Sequence, residues 1–215
     1  EVARDVGIPT RMLDSNQTRR QIHSSRYHGA WQIPQAANLN PLKLTRALMG
    51  LAQQRGVEVF ERSKVVAIEQ GRTVTIHMEL GRIRAPQVVL AVNGYAGTLG
   101  FFRSRALPLS NFILASAPLS PAQLAEIGWQ GRQQLWDSRA EFNYFRLTAD
   151  NRILFGGELA PYYYGDGVSS GNHRRALRKL RQSFVKTFPQ LANHPIDYRW
   201  GGTLSVSRDT VPSVG

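Results

Sequence analysis

Apolar side chains recur at helical spacing in several parts of the chain. The clearest case covers residues 41–55, where Asn40 is a favourable N-cap, Pro41 suits the first turn and Gly56 favours a stop. The same signals predict short helices at residues 14–23 and, after the Ser120 cap, at 121–127. A further helix is predicted to pass through residues 173–181 and to end near Phe188, before a proline.

Short apolar runs between these helices predict strands. They lie at residues 57–60, 65–69, 73–79, 82–85, 88–92, 108–117, 142–147, 153–157 and 198–204. The run VVLAV at 88–92 is typical of a strand buried on both faces. The pair 142–147 and 153–157 is predicted to form a β-hairpin. The order of elements predicts an α+β or α/β chain: a partial α/β domain joined to an antiparallel-sheet domain with flanking helices.

Length and composition exclude several classes of protein. The 215 residues suffice for one large domain or two small ones with a real core. The chain has no cysteine, which excludes disulfides, thiolate metal sites and a cysteine nucleophile in this segment. No apolar run reaches the ~18 residues of a membrane-spanning helix, and no secretory signal is visible. We therefore expect a cytoplasmic protein with no membrane partner.

The chain is strongly basic, with a formal net charge of +12. The densest cluster of cations lies at residues 173–181, and Leu177, Leu180 and Phe184 fall between and beyond them at helical spacing. This pattern is typical of an amphipathic helix with a solvated basic face. A nucleic-acid surface is a weaker alternative, because no helix-turn-helix or aromatic-rich strand motif accompanies the charge.

No familiar catalytic motif is present. The five histidines form neither an HxH nor an HExxH pair, so no metal site is predicted. GxSxG, the phosphate-binding GxxxxGK[ST] loop and a complete GxGxxG fingerprint are also absent. From the residues alone, no catalytic residue can be assigned.

Four stretches in order resemble the D-amino-acid oxidase-type FAD-dependent oxidoreductases. They are NLNPLKLTRALMGLAQQRGVEVFERSKVVAIEQ at 38–70, VVLAVNGYAG at 88–97, YFRLTADNRILFGGE at 144–158 and WGGTLSVSRDTVPSVG at 200–215. Each motif alone is loose, but four in the correct order and spacing are fairly specific. Together with HSSRYHGAW at 23–31, they are most similar to the gamma-glutamylputrescine oxidase-like branch of that family.

The resemblance implies a domain plan. Residues 1–106 would be part of an FAD-binding domain, 107–198 a substrate domain with an antiparallel sheet, and 199–215 a return to the FAD-binding domain. The family's GxGxxG unit and its closing segment have no counterpart in these 215 residues. We therefore expect an internal fragment that by itself binds FAD poorly and exposes apolar surface near residues 88–92 and Trp200, with possible self-association.

The resemblance also implies cofactor-binding residues. The backbone of Val65 would meet the adenine half of FAD, and Ala91, Asn93 and Gly94 would lie along the dinucleotide. Gly201 and Gly202 would allow the chain to pass close to the flavin ring. Asp209 would hydrogen-bond near the ribityl or phosphate region, although a role as a turn residue is about as plausible.

The implied activity is oxidation of the C–N bond of an amine or amino acid to an imine, hydrolysed to a carbonyl. Tyr144 and Arg146 would share one strand face and bind a small-molecule amine with an anionic end; for Tyr144, core packing is an equal alternative. Leu204 stands where amino-acid-oxidising members often carry a carboxylate-binding arginine, which favours an amine. The alternative from another class is a catalytically inactive binding or structural module of the same fold.

Overall fold

A computed structural model of the chain describes residues 7–129, 131–139, 142–157 and 170–211, and the side chains of 170–172 lie outside this description. The residues group into two compact units. Unit 1 comprises Glu1–Asn38 and Leu109–Thr203, and unit 2 comprises Leu39–Pro108 and Leu204–Gly215. Residues 7–38 thus group with the antiparallel sheet, while the functional assignment of the domains stays a prediction.

The main sheet has five strands, which are Ala106–Ser116 (β6), Leu135–Trp136 (β7), Tyr144–Leu147 (β8), Ile153–Gly157 (β9) and Ile196–Ser207 (β10). Their order across the sheet is β10-β6-β9-β8-β7. β8 and β9 form the predicted hairpin, in which Tyr144 lies opposite Gly156 and Leu147 opposite Ile153. Unit 1 also contains a small antiparallel pair, β1 (Arg11–Leu13) and β2 (Ala30–Gln32).

Two helices of unit 1 begin at or next to the positions that the sequence predicts. α1 (Ser15–Gln21) starts after Asp14 and α3 (Pro121–Ile127) after Ser120, and both starts form capping boxes with a glutamine three residues on. α4 (Ser170–Thr187) is the predicted basic helix. Its side chains Leu180 and Phe184 are fully buried, whereas the cations from Arg174 to Lys179 are exposed, which confirms the amphipathic pattern.

The core of unit 1 lies between α4 and one face of the main sheet. Phe145 and Phe155 stack with ring centroids 5.2 Å apart, and Phe184 and Phe188 of the α4 region meet them edge-on. All four rings are at most 1% exposed. Burying each phenylalanine stabilises the folded state by roughly 2–3 kcal/mol, so this aromatic cluster fixes which face of the hairpin points inward.

Unit 2 contains α2 (Pro41–Gln54) and an antiparallel sheet of β3 (Val65–Glu69), β4 (Val74–Met78) and β5 (Gly81–Ala85). A 3₁₀ turn at Asn93–Leu99 follows the sheet. α2 begins at the predicted Asn40 cap, whose side chain accepts a hydrogen bond from the Lys43 amide. Its leucine stripe is exposed, with Leu48 at 56%.

Two strand predictions in unit 2 are wrong. Residues 57–60 and 88–92 have no strand assignment, and Val89 is 90% exposed. A strand buried on both faces needs neighbouring strands for its backbone groups and helices to cover its sides. Among the described residues neither segment has such neighbours, so an apolar run alone does not form a strand there.

Residues 88–92 and Trp200 expose apolar surface, as the sequence predicts. Val89 is almost fully exposed and Trp200 is 43% exposed. Self-association through such surface stays a prediction. Within the described ranges, no helix has the length and apolar character needed to cross a bilayer.

Candidate functional site

The outward face of β8 carries the two residues assigned to substrate binding. Along the strand, half-buried Tyr144 and Arg146 alternate with buried Phe145 and Leu147. The inward residues pack in the aromatic cluster. A shift of β8 by one residue in its pairing register would therefore turn Arg146 into the core. The expectation that Tyr144 and Arg146 share one face is therefore correct, and their role in binding stays a prediction.

The Tyr144 hydroxyl donates a hydrogen bond of 2.8 Å to Oδ1 of Asn111 on β6. Burial raises the pKa of this phenol above its ordinary value, so the hydroxyl keeps its proton, and remains a donor, to a higher pH than an exposed tyrosine. Its ring occupies the space above Gly156, where any added Cβ would collide with it. The ring thus packs against the outward face of the sheet rather than in the phenylalanine core.

Arg146 is half-buried, and no described residue forms an ion pair or hydrogen bond with its guanidinium. It lies opposite Leu154, an apolar position of β9. A guanidinium presents five donors in a planar fork that matches a carboxylate. The outward face of unit 1 therefore combines a fixed tyrosine with a cation that is free to pair with an anionic ligand.

The two glycines of β10 that were assigned to the cofactor differ in their surroundings. A Cβ at Gly201 would lie 2.7 Å from the ring of Phe112 and 3.1 Å from the carbonyl oxygen of Asn111. A Cβ at Gly202 would meet nothing within 4 Å. Gly201 is thus required by packing inside unit 1, whereas only Gly202 is left open toward a ligand.

In unit 2, Val65 begins β3, which is an edge strand of its sheet. The pairing with β4 shifts between Val65 and Ala67: Val65 lies opposite Met78 and Ala67 opposite His77, with Val66 left over. Such a bulge interrupts the ladder, and an edge strand leaves one row of backbone groups unpaired within its sheet. This arrangement suits the backbone contact that the family resemblance implies for Val65.

The segment with Ala91, Asn93 and Gly94 follows the irregular run 88–92. Ala91 and Asn93 are exposed and Gly94 is half-buried. Asn93 has a positive φ of 49° and opens the 3₁₀ turn. Its Oδ1 accepts a hydrogen bond of 2.8 Å from the backbone N–H of Ser205. The Asn93 side chain therefore anchors this turn to the last described stretch of unit 2.

Asp209 is exposed, and its Oδ1 accepts a hydrogen bond of 3.1 Å from the backbone N–H of Val211. This contact matches the alternative role of Asp209 as a turn residue, because an aspartate side chain commonly accepts a hydrogen bond from the backbone amide two residues later. Its cofactor role stays a prediction. The end of the fourth motif, residues 212–215, and residue 158 of the third lie outside the described residues.

Unit 2 brings together residues from three of the four motifs. β3 with Val65 packs beside the 3₁₀ turn that contains Asn93 and Gly94, and Ser205 bonds to that turn. In unit 1, Asn111 touches both Tyr144 and the position of Gly201. Sequence reasoning missed Asn111, although a polar residue within an apolar strand was a visible signal.

Comparison with known proteins gives a consistent family match. The sequence profile of the family described as FAD dependent oxidoreductase (DAO) matches residues 1–215. Gamma-glutamylputrescine oxidoreductase from Escherichia coli (strain K12) is 31% identical over 206 residues, which are 95% of this chain and 46% of that protein. A probable oxidoreductase, OrdL, from Haemophilus influenzae is 28% identical over 211 residues, or 95% of this chain and 46% of its own length.

Solved structures share the fold at lower identity. Glycine oxidase from Geobacillus kaustophilus superposes with a TM-score of 0.77 at 20% identity, covering 99% of this chain and 55% of its own. L-Proline dehydrogenase from P. horikoshii gives 0.79 at 19% identity, covering 100% of this chain and 57% of its own. The chain thus spans about half the length of the relatives that it matches.

Proposed function

Because the chain belongs to the DAO family of FAD-dependent oxidoreductases, we propose that its protein oxidises the C–N bond of an amine or amino acid to an imine, which water hydrolyses to a carbonyl. The outward face of β8 is the observation that carries this proposal. It presents a tyrosine fixed through Asn111 and, two residues away, an arginine that no described residue pairs. A substrate with both an amine and an anionic end matches these two groups.

The residues of the proposed cofactor site fit a dinucleotide in their chemistry. Val65, Ala91, Asn93 and Gly94 are neutral and present no carboxylate that would repel a pyrophosphate. The one carboxylate assigned to the cofactor, that of Asp209, accepts a hydrogen bond from the Val211 N–H. We propose that they hold the FAD dinucleotide through backbone groups, since the Asn93 side chain is engaged with Ser205. The open space at Gly202 would allow close approach of the flavin ring.

Bound FAD supplies the redox chemistry, with electrons leaving to oxygen or another acceptor. The protein's part is to bind and orient the amine. In this proposal the Arg146 guanidinium holds the anionic end, and Leu204 offers no second clamp for an α-carboxylate. The Tyr144 hydroxyl, whose proton is donated to Asn111, accepts a hydrogen bond from the substrate nitrogen. We therefore favour polyamine-type amines that also carry an anionic end over simple α-amino acids. A cytoplasmic location stays part of this proposal.

The proposal is tested on the purified full-length protein. We expect a yellow protein whose flavin absorbance is bleached by an amine without oxygen, with peroxide or a reduced acceptor and a carbonyl product under turnover. Arg146→Gln is expected to raise the KM for carboxylate-bearing amines, while Arg174→Gln on the exposed face of α4 should not.

A colourless protein that releases no flavin on denaturation would overturn the proposal. A protein that retains flavin but is bleached by no amine or amino acid would favour the alternative, an inactive binding or structural module of the same fold.

A further inference from the structure

Two more aromatic side chains share the outward face of the hairpin. In the register of β7 and β8, Trp136 lies opposite Tyr144, and Leu135 lies opposite the buried Phe145. Side chains directly opposite each other in an antiparallel pair project to the same side of the sheet. Trp136 therefore lies on the side of Tyr144, away from the phenylalanine core.

Phe142 extends this group. Its ring centroid lies 6.2 Å from that of Tyr144, with the planes inclined by 54°. Phe142 is 49% exposed and Trp136 is 54% exposed, although both belong to a unit with a well-filled core. Trp136, Phe142 and Tyr144 are hereafter called the aromatic wall. Adjacent exposed aromatics of this size are typical of a surface that binds a ligand.

The aromatic wall is held by a buried polar network. Asp137 directly follows Trp136, and Asn143 directly precedes Tyr144. The two residues exchange bonds: the Asp137 N–H donates to the Asn143 carbonyl at 2.9 Å, and the Asn143 N–H donates to Asp137 Oδ1 at 3.0 Å. Asn143 is fully buried and Asp137 is 8% exposed.

Two arginines neutralise the Asp137 carboxylate. Arg139 donates through Nε at 3.1 Å, and Nη2 of Arg26 lies 3.4 Å away. Arg26 also donates through Nη1 to Thr187 Oγ1 at 2.9 Å, which ties the network to the end of α4. The residues beside Trp136 and Tyr144 are therefore held by contacts within the protein, which suits a binding surface.

We propose that Trp136 contacts substrate and that the aromatic wall selects aliphatic amines with several methylene groups between the nitrogen and a carboxylate. This inference rests on the proposed function and names the substrate class of that site. Arg146 lies two residues along β8 from Tyr144, a step of about 7 Å, so a carboxylate held there places the methylene chain along the aromatic rings. The methylene groups are removed from water when they pack against the rings, which favours binding. The ammonium group is also attracted to the face of an aromatic ring by a cation–π interaction.

The test compares ω-amino acids of four and six carbons with alkylamines of equal length, on the full-length holoenzyme. The readout is anaerobic bleaching of the flavin, which separates apparent affinity from the limiting rate of reduction. We expect Trp136→Ala to weaken the affinity for the six-carbon ω-amino acid about tenfold, since contact with one or two methylenes is lost. The four-carbon compound should lose less, and the limiting rate should change less than about twofold.

Three further variants make the result specific. Trp136→Phe should restore most of the affinity, because it keeps an aromatic surface. Trp31→Ala is the matched control: Trp31 is 52% exposed on β2 of the same unit and lies outside the wall. Arg146→Gln should abolish the preference for ω-amino acids over alkylamines while retaining the preference for longer chains.

The inference is overturned if Trp136→Ala and Trp31→Ala give the same affinities at every chain length, with both proteins folded. If no amine bleaches the wild-type flavin, the proposed function fails, and the wall is then judged by binding alone. In that case, 6-aminohexanoate must quench the tryptophan fluorescence of the wild type. The amplitude of quenching must be smaller in Trp136→Phe, which lacks that fluorophore, and the affinity must be lower in Arg146→Gln. Quenching that neither variant changes would refute the wall as a ligand surface.

Discussion

The ring of Tyr144 lies over Gly156, which is directly opposite it in the β8–β9 hairpin. Glycine leaves free the volume that the ring occupies, and in this position the hydroxyl reaches Asn111 on the next strand. A glycine in the third sequence motif thus has a role that does not involve backbone flexibility: its lack of a side chain makes room for the Tyr144 ring of the aromatic wall.

Gly156→Ala is therefore expected to displace the Tyr144 ring and break its bond to Asn111. Loss of one hydrogen bond and of the ring position should raise the KM for an amine by about five- to tenfold, with a smaller effect on kcat. Steady-state kinetics measure this. Gly50→Ala in α2 is the control, because a Cβ there meets nothing within 4 Å. An unchanged KM in Gly156→Ala would show that the ring position does not matter.

Gly201→Ala should lower stability, whereas Gly202→Ala should lower flavin affinity and leave stability unchanged. At Gly201 the new methyl group collides with Phe112 and Asn111, so we expect a lower melting temperature, equivalent to about 1–3 kcal/mol of overpacking. At Gly202 the melting temperature of the apoprotein should stay within error, while flavin affinity falls. Thermal unfolding of apoprotein and flavin titration distinguish the two. Equal flavin affinities in wild type and Gly202→Ala would remove Gly202 from the cofactor site.

Asp137→Asn tests the network behind the aromatic wall. It removes the charge that two arginines face in a buried site, so we expect a loss of roughly 3 kcal/mol in the free energy of unfolding. Asp150→Asn is the matched control, because the Asp150 side chain is 62% exposed and solvent screens its pairing with Arg152, so we expect a much smaller loss. Urea unfolding measures both. Similar losses of unfolding free energy in the two variants would mean that Asp137 contributes no more to stability than an exposed carboxylate does.

The buried hydroxyl of Tyr27 predicts how the stability of the folded protein changes at alkaline pH. Burial raises the pKa of its hydroxyl from 10.0 to about 12, against the opposing influence of Arg26. Between these values the unfolded chain loses the proton and the folded chain retains it. The stabilisation from neutral Tyr27 is therefore complete below pH 10 and is lost as the pH rises toward about 12.

Urea unfolding across this alkaline range, followed with tyrosinate absorbance, should show a steeper decline of stability in the wild type than in Tyr27→Phe. The variant lacks the ionisable hydroxyl but retains the ring that stacks near Phe145. Parallel declines in the two proteins would refute the assignment of this transition to Tyr27.

Local patterns predicted the elements whose structure depends on near neighbours. The β8–β9 hairpin follows from alternation and a short turn, α2 and α3 begin at their predicted caps, and α1 begins one residue after its predicted start. These signals work because strand alternation, turn chemistry and capping involve residues only a few positions apart.

The remaining errors and omissions concern distant partners. The run at 88–92 has the composition of a buried strand, but composition does not specify which strands flank it. The bond from Tyr144 to Asn111 spans 33 positions, and the Arg26 contact with Thr187 spans 161. Such pairings depend on how the whole chain folds, so no local motif identifies them.

The hairpin has a consequence for how such a protein could diversify. The proposed anion-binding guanidinium, two rings of the wall and the glycine beneath one of them all belong to a single continuous stretch, residues 142–157, in unit 1. The residues proposed to hold the adenine and phosphate portions of the cofactor belong to unit 2 and to other stretches of the chain. In the proposed function, exchange of the codons for this one stretch would therefore alter much of the substrate surface, with Trp136 outside it unchanged, and none of the residues proposed to bind the adenine and phosphate portions of FAD.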